Sequence, residues 1–378
     1  MIHRPRGCDI LPMVRMSGMG FLRIPHSFPI FVVTCLLSLS DLGGLQSAEA
    51  SPHFEAISIP GKALDGNPLG DPVQRRVAVF TPKLPRFTSK LLTVYYLPGY
   101  FGSSEDFLGA NGDLFAAVFQ QLADRGIPLR MVVPDCKTRW GGSQYLNSTA
   151  QGNYADYVLE EIIPILEKRF GTPMTPRDRI IAGHSSGGFG ALRLAMMAPE
   201  RFGAIIALSP DTYFEVTHRP LAEAPEVRSV TAEAFRRYTT LGKDKDLPGH
   251  NLVQIMLGLS AAYAPKGPNE PGQFHWLYDE YGNWQEEVWQ NWLEEDPVFI
   301  ARRNPHLFMP FHRIYLDGAE HDEFGAQKGA KLLGGLIKPY SQVEFYESPD
   351  GHADHIEERL ARGIEWVFGK TMRNIEDR

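Results

Sequence analysis

The stretch Ile180–Leu192, IIAGHSSGGFGAL, drives an apolar run against a knot of small polar residues and then into a segment of helical periodicity. Arg179–Gly183 has the make-up of a buried strand, and from Gly188 to Phe202 apolar residues return every three or four positions. Between them, Gly183-His184-Ser185-Ser186-Gly187 fits G-x-S-x-G. At a strand-to-helix junction this pattern marks a sharp turn that lifts the central serine off the sheet edge, with glycines on each side so that strand and helix can approach. Ser185 is therefore the expected nucleophile. The backbone N–H of Ser186, at the positive end of the helix, is an expected oxyanion donor.

Outward from this turn the chain is periodic. Strand candidates at 91–97, 129–134, 179–183, 203–209, 311–317 and 342–348 alternate with helix candidates at 113–126, 154–171, 188–202, 324–338 and 355–369. Val77 and Val79, alternating with Arg76 and Ala78, suggest a further strand before them. This order implies an α/β architecture, a mostly parallel central sheet with helices on both faces. Ligands bind such sheets at the carboxyl ends of the strands, so the turns there are where chemistry belongs.

A serine hydroxyl needs a base, and the base needs an orienting acid. Two later strand ends offer them in the chain order serine, acid, histidine. The segment ESPDGHADHIEERL carries His352 and His355. His352 directly follows a loop glycine and is the expected base, whereas His355 falls in the first turn of the last helix and points elsewhere. The segment YLDGAEHDEFG offers Asp317, Glu320, Asp322 and Glu323; Asp322 is the preferred acid, with Glu320 and Asp317 left open. An early strand ends in YYLPGYFGSSEDF, where the Tyr100 N–H is placed to pair with that of Ser186. The alternative there is an ordinary Pro-Gly turn.

From Tyr213 to about Pro310 the alternation breaks, with no clean strand, many Pro and Gly residues, and the aromatic run FHWLYDEYGNWQEEVWQNW. A structureless loop of that length does not fit a compact domain, so an inserted, partly helical cap is expected over about 213–310. Its aromatics either line an acyl or aryl pocket or pack the cap onto the body.

Composition narrows the rest. The net charge of -7 and the absence of long Lys/Arg runs argue against a nucleic-acid surface. Near the N-terminus PIFVVTCLLSL, preceded by Arg23 and followed by SAEA ending at Ala50, has the layout of a secretory signal peptide and is too short to span a bilayer comfortably. The expectation is a leader over 1–50, with translation starting at Met1 or at Met13, Met16 or Met19, then one domain over 51–378. The mature product would be secreted or periplasmic, with no stable membrane span. Cys8 and Cys35 would leave with the leader, and Cys136 alone forms no internal disulfide.

Taken together, these segments resemble the family of esterases that includes esterase D (S-formylglutathione hydrolase), feruloyl esterases, enterochelin esterases and the antigen 85 mycolyltransferases. GKALDGNPLGDPVQRRVAVFTP is similar to the family's opening strands, YYLPGYFGSSEDF to its oxyanion segment and YADYVLEEIIPILEKRFG to the helix before the elbow. GHSSGGFGALRLAMMAPERFGAIIALSP is the most specific match. The resemblance implies an α/β-hydrolase fold and a carboxylic ester hydrolase with Ser185 as nucleophile, His352 as base and Tyr100 as oxyanion donor. It also implies Asp322 as the acid that precedes x-F, here Glu323-Phe324, although the spacing from Gly318 to Asp322 is one residue longer than the family's usual pattern. The long cap departs from compact members, which puts the substrate more in question than the reaction.

The leading expectation is hydrolysis of a small-molecule or saccharide-linked ester through an acyl-enzyme, with no cofactor and no metal. A close variant passes the acyl group to a sugar or lipid hydroxyl. A metal-dependent hydrolase would draw on His321, Asp322, His352 and His355, but no helix carries a pair spaced as in H-E-x-x-H. A non-catalytic binding protein on the same fold is the remaining alternative, against which the intact serine, histidine and acid positions count.

Overall fold

Strands β1 (Phe54–Ile59), β2 (Arg75–Phe80), β3 (Leu92–Leu97), β4 (Leu129–Val133), β5 (Arg179–His184), β6 (Ala204–Leu208), β7 (Arg313–His321) and β8 (Val343–Gly351) form one sheet. Their order is β1-β2-β4-β3-β5-β6-β7-β8. The computed structural model describes residues 53–84, 91–171, 175–230 and 250–369. The expected leader over 1–50, with Cys8 and Cys35, lies outside the described residues.

The first two pairings, β1 with β2 and β2 with β4, are antiparallel; every later one is parallel. All residues of β5 and β6 are buried, which is why Ile180–Gly183 and β6 read as continuous apolar runs. The two-residue alternation persists in which layer each side chain enters. Tyr95, Leu97, Ile181, Ile205 and Leu316 face one layer; Val94, Tyr96, Ile180, Ile206 and Tyr315 face the other. Helices α1 (Ala110–Asp124), α2 (Ile163–Phe170) and α3 (Ser186–Met197) follow the early strands.

Two details depart from the sequence expectation. The helix expected over 154–171 is interrupted by a π-type stretch, Tyr157–Ile162, just before α2. Pro164 at the start of α2 has no N–H to give the preceding turn, and a widened turn accommodates the missing bond. Strands β7 and β8 also run past their expected ends at 317 and 348. They keep pairing, Glu347 with Gly318, Ser348 with Ala319 and Gly351 with His321, with a bulge between Ser348 and Gly351. The result is a two-stranded arm that projects beyond its neighbours.

Between β6 and β7 lies the cap. Its described part holds short turns of helix at Phe214–Thr217, Arg219–Ala222 and Pro225–Arg228, then α4 (His250–Tyr263), α5 (Glu286–Glu295) and α6 (Pro297–Arg303). The aromatics of 274–292 mostly pack within this insertion: Trp289 and Trp292 are fully buried, 5.7 Å apart, and Trp292 meets Tyr263 at 5.2 Å. Phe189 of α3 joins them through Phe214 and Tyr263, so the cap's own core rests on the helix that follows Ser185. Helices α7 (Ala326–Ile337) and α8 (Ile356–Val367) complete the layers. Among the described residues no helix is long and apolar enough to cross a membrane.

Candidate active site

Ser185 sits between β5 and α3 with φ 56° and ψ −122°, a backbone conformation that L-residues rarely hold. Neighbouring backbone fixes it there. Its N–H donates to the Leu208 carbonyl at 2.9 Å, and its own carbonyl accepts from Phe189 at 3.0 Å and from Asp211 at 3.3 Å. The flanking glycines are there for space: a Cβ on Gly183 would lie 2.1 Å from the Gly187 carbonyl oxygen, and one on Gly187 would lie 1.8 Å from that of Leu97. Strand, turn and helix meet closer than any side chain allows.

The arm formed by β7 and β8 brings in the other two groups. Because Gly351 pairs with His321, the next residue on each strand, His352 and Asp322, emerge as neighbours at the carboxyl end of the sheet. His352 Nε2 lies 2.9 Å from Ser185 Oγ, and its Nδ1 lies 2.7 Å from Asp322 Oδ2. The other Asp322 oxygen accepts from the N–H groups of Phe324 at 2.9 Å and Ala326 at 3.3 Å. Burial pushes the Asp322 carboxyl up, but the His352 charge, its hydrogen bond and the two backbone donors outweigh burial and hold it at about 2. Burial likewise pulls the His352 imidazole down. The charge and hydrogen bond of Asp322, with Glu323 and Asp211 adding to them, outweigh this and leave it above 6.5.

The alternative acids lie elsewhere. Asp317 is fully buried and takes both Nε (3.0 Å) and Nη2 (2.5 Å) of Arg359, while Glu320 is exposed. His355 is exposed and bonded to Asp350 at 2.9 Å, away from Ser185.

Tyr100 follows β3. Gly99 runs so close to the elbow that a Cβ on it would touch Ser185 Cβ at 3.4 Å. The Tyr100 ring is clamped: its hydroxyl donates to the Trp140 carbonyl at 2.9 Å, and Cβ atoms on Gly142 or Gly258 would run into it. Its backbone is thereby fixed beside Ser186, and both residues line a shallow cleft with Gly141, Gly142, Ser143 and Gln144. The Ser186 N–H is one of the first amides of α3, which have no partner within the helix.

Three residues around Ser185 escaped the sequence reading. His184, the variable position inside the motif, directs Nε2 to the His352 carbonyl at 2.8 Å. Burial, then the charges of His352 and Arg359, push its imidazole well below 6.5, so it donates there as a neutral ring. Arg359 donates to the same carbonyl at 3.1 Å. A charge on the apolar stripe of α8, three residues after Ile356 and four before Gly363, was its available signal. Asp211 accepts from Ser186 Oγ at 2.7 Å and lies 3.4 Å from Ser185 Oγ. Its only mark was its place just past the end of a strand.

A family model described as "Esterase: Putative esterase" matches residues 74–359, a span that holds every residue of this site. The chain belongs to that esterase family. Among curated proteins it is 29% identical to the S-formylglutathione hydrolase of Mus musculus over 154 residues, 36% of this chain and 51% of the mouse protein. The match thus spans about half the length of that relative. Among solved structures the esterase fold is similar to FphF, a fluorophosphonate-binding serine hydrolase of Staphylococcus aureus, with a TM-score of 0.52, 16% identity and 84% and 99% of the two chains covered. It is also similar to a ferulic acid esterase, with a TM-score of 0.51, 14% identity and 85% and 98% covered. At those identities the structural likeness speaks for the α/β-hydrolase fold alone.

Proposed function

We propose that this chain is a serine esterase that hydrolyses a carboxylic ester through an acyl-enzyme. The observation that carries the reading is the unbroken line from Ser185 Oγ through His352 to Asp322, at 2.9 and 2.7 Å. Ser185 Oγ attacks the ester carbonyl carbon as His352 Nε2 takes its proton. Asp322 holds the opposite Nδ1–H and stabilises the imidazolium that forms. The N–H groups of Tyr100 and Ser186 donate to the oxyanion. His352 then protonates the departing alcohol, and water, deprotonated by the same ring, releases the acid. The substrate is a small-molecule or saccharide-linked ester, and no step calls for a metal or organic cofactor. The layout of residues 29–50 supports export, to the periplasm or the medium.

A fluorophosphonate probe tests this directly, since it traps an activated serine as a stable phosphonate ester. Labelling is expected to vanish in Ser185→Ala and to persist in Ser186→Ala, which keeps the Ser186 N–H and loses only its bond to Asp211. Labelling that survives Ser185→Ala rules the assignment out.

A further inference from the structure

Asp211 is a carboxylate held at the nucleophile for which the hydrolytic steps above have no use. Its place is tightly built. The backbone leaves β6 through Ser209, held at φ 38° by Arg359 Nη2 on its hydroxyl at 2.7 Å and by its own N–H on the Asp317 carbonyl at 3.0 Å. Two residues on, the Asp211 N–H donates to the Ser185 carbonyl at 3.3 Å, and the carboxylate takes the Ser186 hydroxyl. Asp211 Oδ1 lies 3.4 Å from Ser185 Oγ, and both residues are half-buried. Among the described residues no Lys or Arg forms an ion pair with it. Exposed Glu323 adds a second negative charge that the imidazole feels.

A carboxylate here has a cost that water does not wholly screen. The tetrahedral intermediate places an oxyanion within a few ångströms of Ser185, and a nearby fixed anion opposes it. Within the protein the carboxylate gains the Ser186 hydroxyl and supports the imidazolium. A positive charge on the substrate would offset the repulsion, whereas a second negative charge would compound it, so the pair of substrates diverges. Resting on the esterase reading, we propose that Asp211 is a specificity-determining residue that selects esters carrying a cationic group near the scissile bond and rejects anionic ones.

The test compares esters matched in shape and differing in charge. On the acyl side these are 4-nitrophenyl esters of 4-(trimethylammonio)butanoate, of its neutral isostere 5,5-dimethylhexanoate and of glutarate. On the alcohol side they are acetylcholine and 3,3-dimethylbutyl acetate. The expected result is a cation-over-neutral preference in kcat/KM of about tenfold or more on at least one side, and a similar penalty for the glutarate ester, the scale of one unit charge acting across a partly buried site. In Asp211→Asn, which keeps the shape and an acceptor for Ser186, the ratios collapse toward those set by shape alone. Ratios measured within one preparation cancel its active fraction, so a partly misfolded variant still reads correctly. Wild-type protein that turns over all the esters without ranking them by charge overturns the proposal and leaves the esterase reading standing, as does an Asp211→Asn variant with unchanged ratios. No turnover of any ester, with no fluorophosphonate labelling of Ser185, overturns both.

Discussion

Arg359 Nη1 donates to the backbone carbonyl of His352 at 3.1 Å while the rest of the same guanidinium closes on Asp317. The last helix of the sheet layers thus reaches back to hold the loop on which the imidazole rides. His184 donates to that same carbonyl, so the peptide carrying His352 is fixed by two donors independent of its ring.

Removing one partner of this buried pair leaves the other charged and unpaired. Arg359→Leu is expected to cost about 3–5 kcal/mol, read as a fall in the denaturation midpoint, and to lower kcat/KM by loosening His352. The double variant Arg359→Leu/Asp317→Leu regains part of the stability because the stranded carboxylate is gone. It does not regain the rate, since the His352 carbonyl keeps His184 but still lacks its Arg359 donor. Equal stability loss in the single and double variants would show that the pair has no special role.

The fold was legible because the body obeys simple periodicities: Ile180–Gly183 of β5 and all of β6 are apolar and buried on both faces, and the helices beside them repeat every three to four residues. The elbow was legible because Gly183 and Gly187 answer a steric demand that only glycine meets. Asp322 was harder. Four acidic residues share one short segment, and what separates them is the pairing of Gly351 with His321 across an arm longer than the apolar pattern suggests. Asp211, His184 and Arg359 act through contacts between segments far apart in the chain, and local pattern carries no record of those. The cap's aromatics left two readings open, and burial of Trp289 and Trp292 decides for packing at those two positions.

The pH dependence follows from the His352–Asp322 pair. In the proposed mechanism His352 must be neutral to take the Ser185 proton, and its folded value stands above 6.5, so kcat/KM is expected to fall as pH drops through a point above 6.5. Asp322→Asn removes the main opposing influence to burial; the acid limb moves to lower pH and the rate falls by about 10⁴. Stability runs differently. Asp322, depressed from 3.8 to about 2, contributes fully above 3.8 and loses its contribution as pH falls toward 2. His352, raised, contributes fully below 6.5 and loses its contribution as pH rises through its folded value. The stability gap between wild type and Asp322→Asn is therefore expected to be largest near pH 5, where a protonated His352 is expected to lower the rate. Urea melts at pH 5 and pH 9 measure it, and a gap that is wider at pH 9 contradicts the pairing.

Two glycine-to-alanine changes should act in opposite directions. In Gly187→Ala the added carbon meets the Leu97 carbonyl oxygen at 1.8 Å, and backbone on both sides cannot give. Loss of soluble protein or of fluorophosphonate labelling is expected. Gly335, exposed within α7, has nothing within 4 Å of a new Cβ. Gly335→Ala should raise stability by about 0.5–1 kcal/mol through the lower helix cost of alanine, with unchanged ester turnover. Thermal melts of the two variants beside wild type check both signs.

The cap offers a comparison between two tryptophans of equal burial. Trp289 donates its indole N–H to Glu215 Oε1 at 3.0 Å, whereas the Trp292 indole N–H has no partner among the described residues. Replacing either by phenylalanine removes similar apolar area, but at position 289 it also removes the bond to exposed Glu215, which keeps Arg219, and at position 292 it removes a buried donor that was already unsatisfied. Trp289→Phe is therefore expected to be less stable than Trp292→Phe by about 1 kcal/mol, seen as a difference of a few degrees in Tm. Truncation to alanine at position 292 is a different matter. It opens a cavity between Tyr263 and Trp289 and should cost about 3–5 kcal/mol. Because Phe189 of α3 packs on this same aromatic core, Trp292→Ala should also slow fluorophosphonate labelling at Ser185, whereas Trp292→Phe should leave the labelling rate near that of wild type.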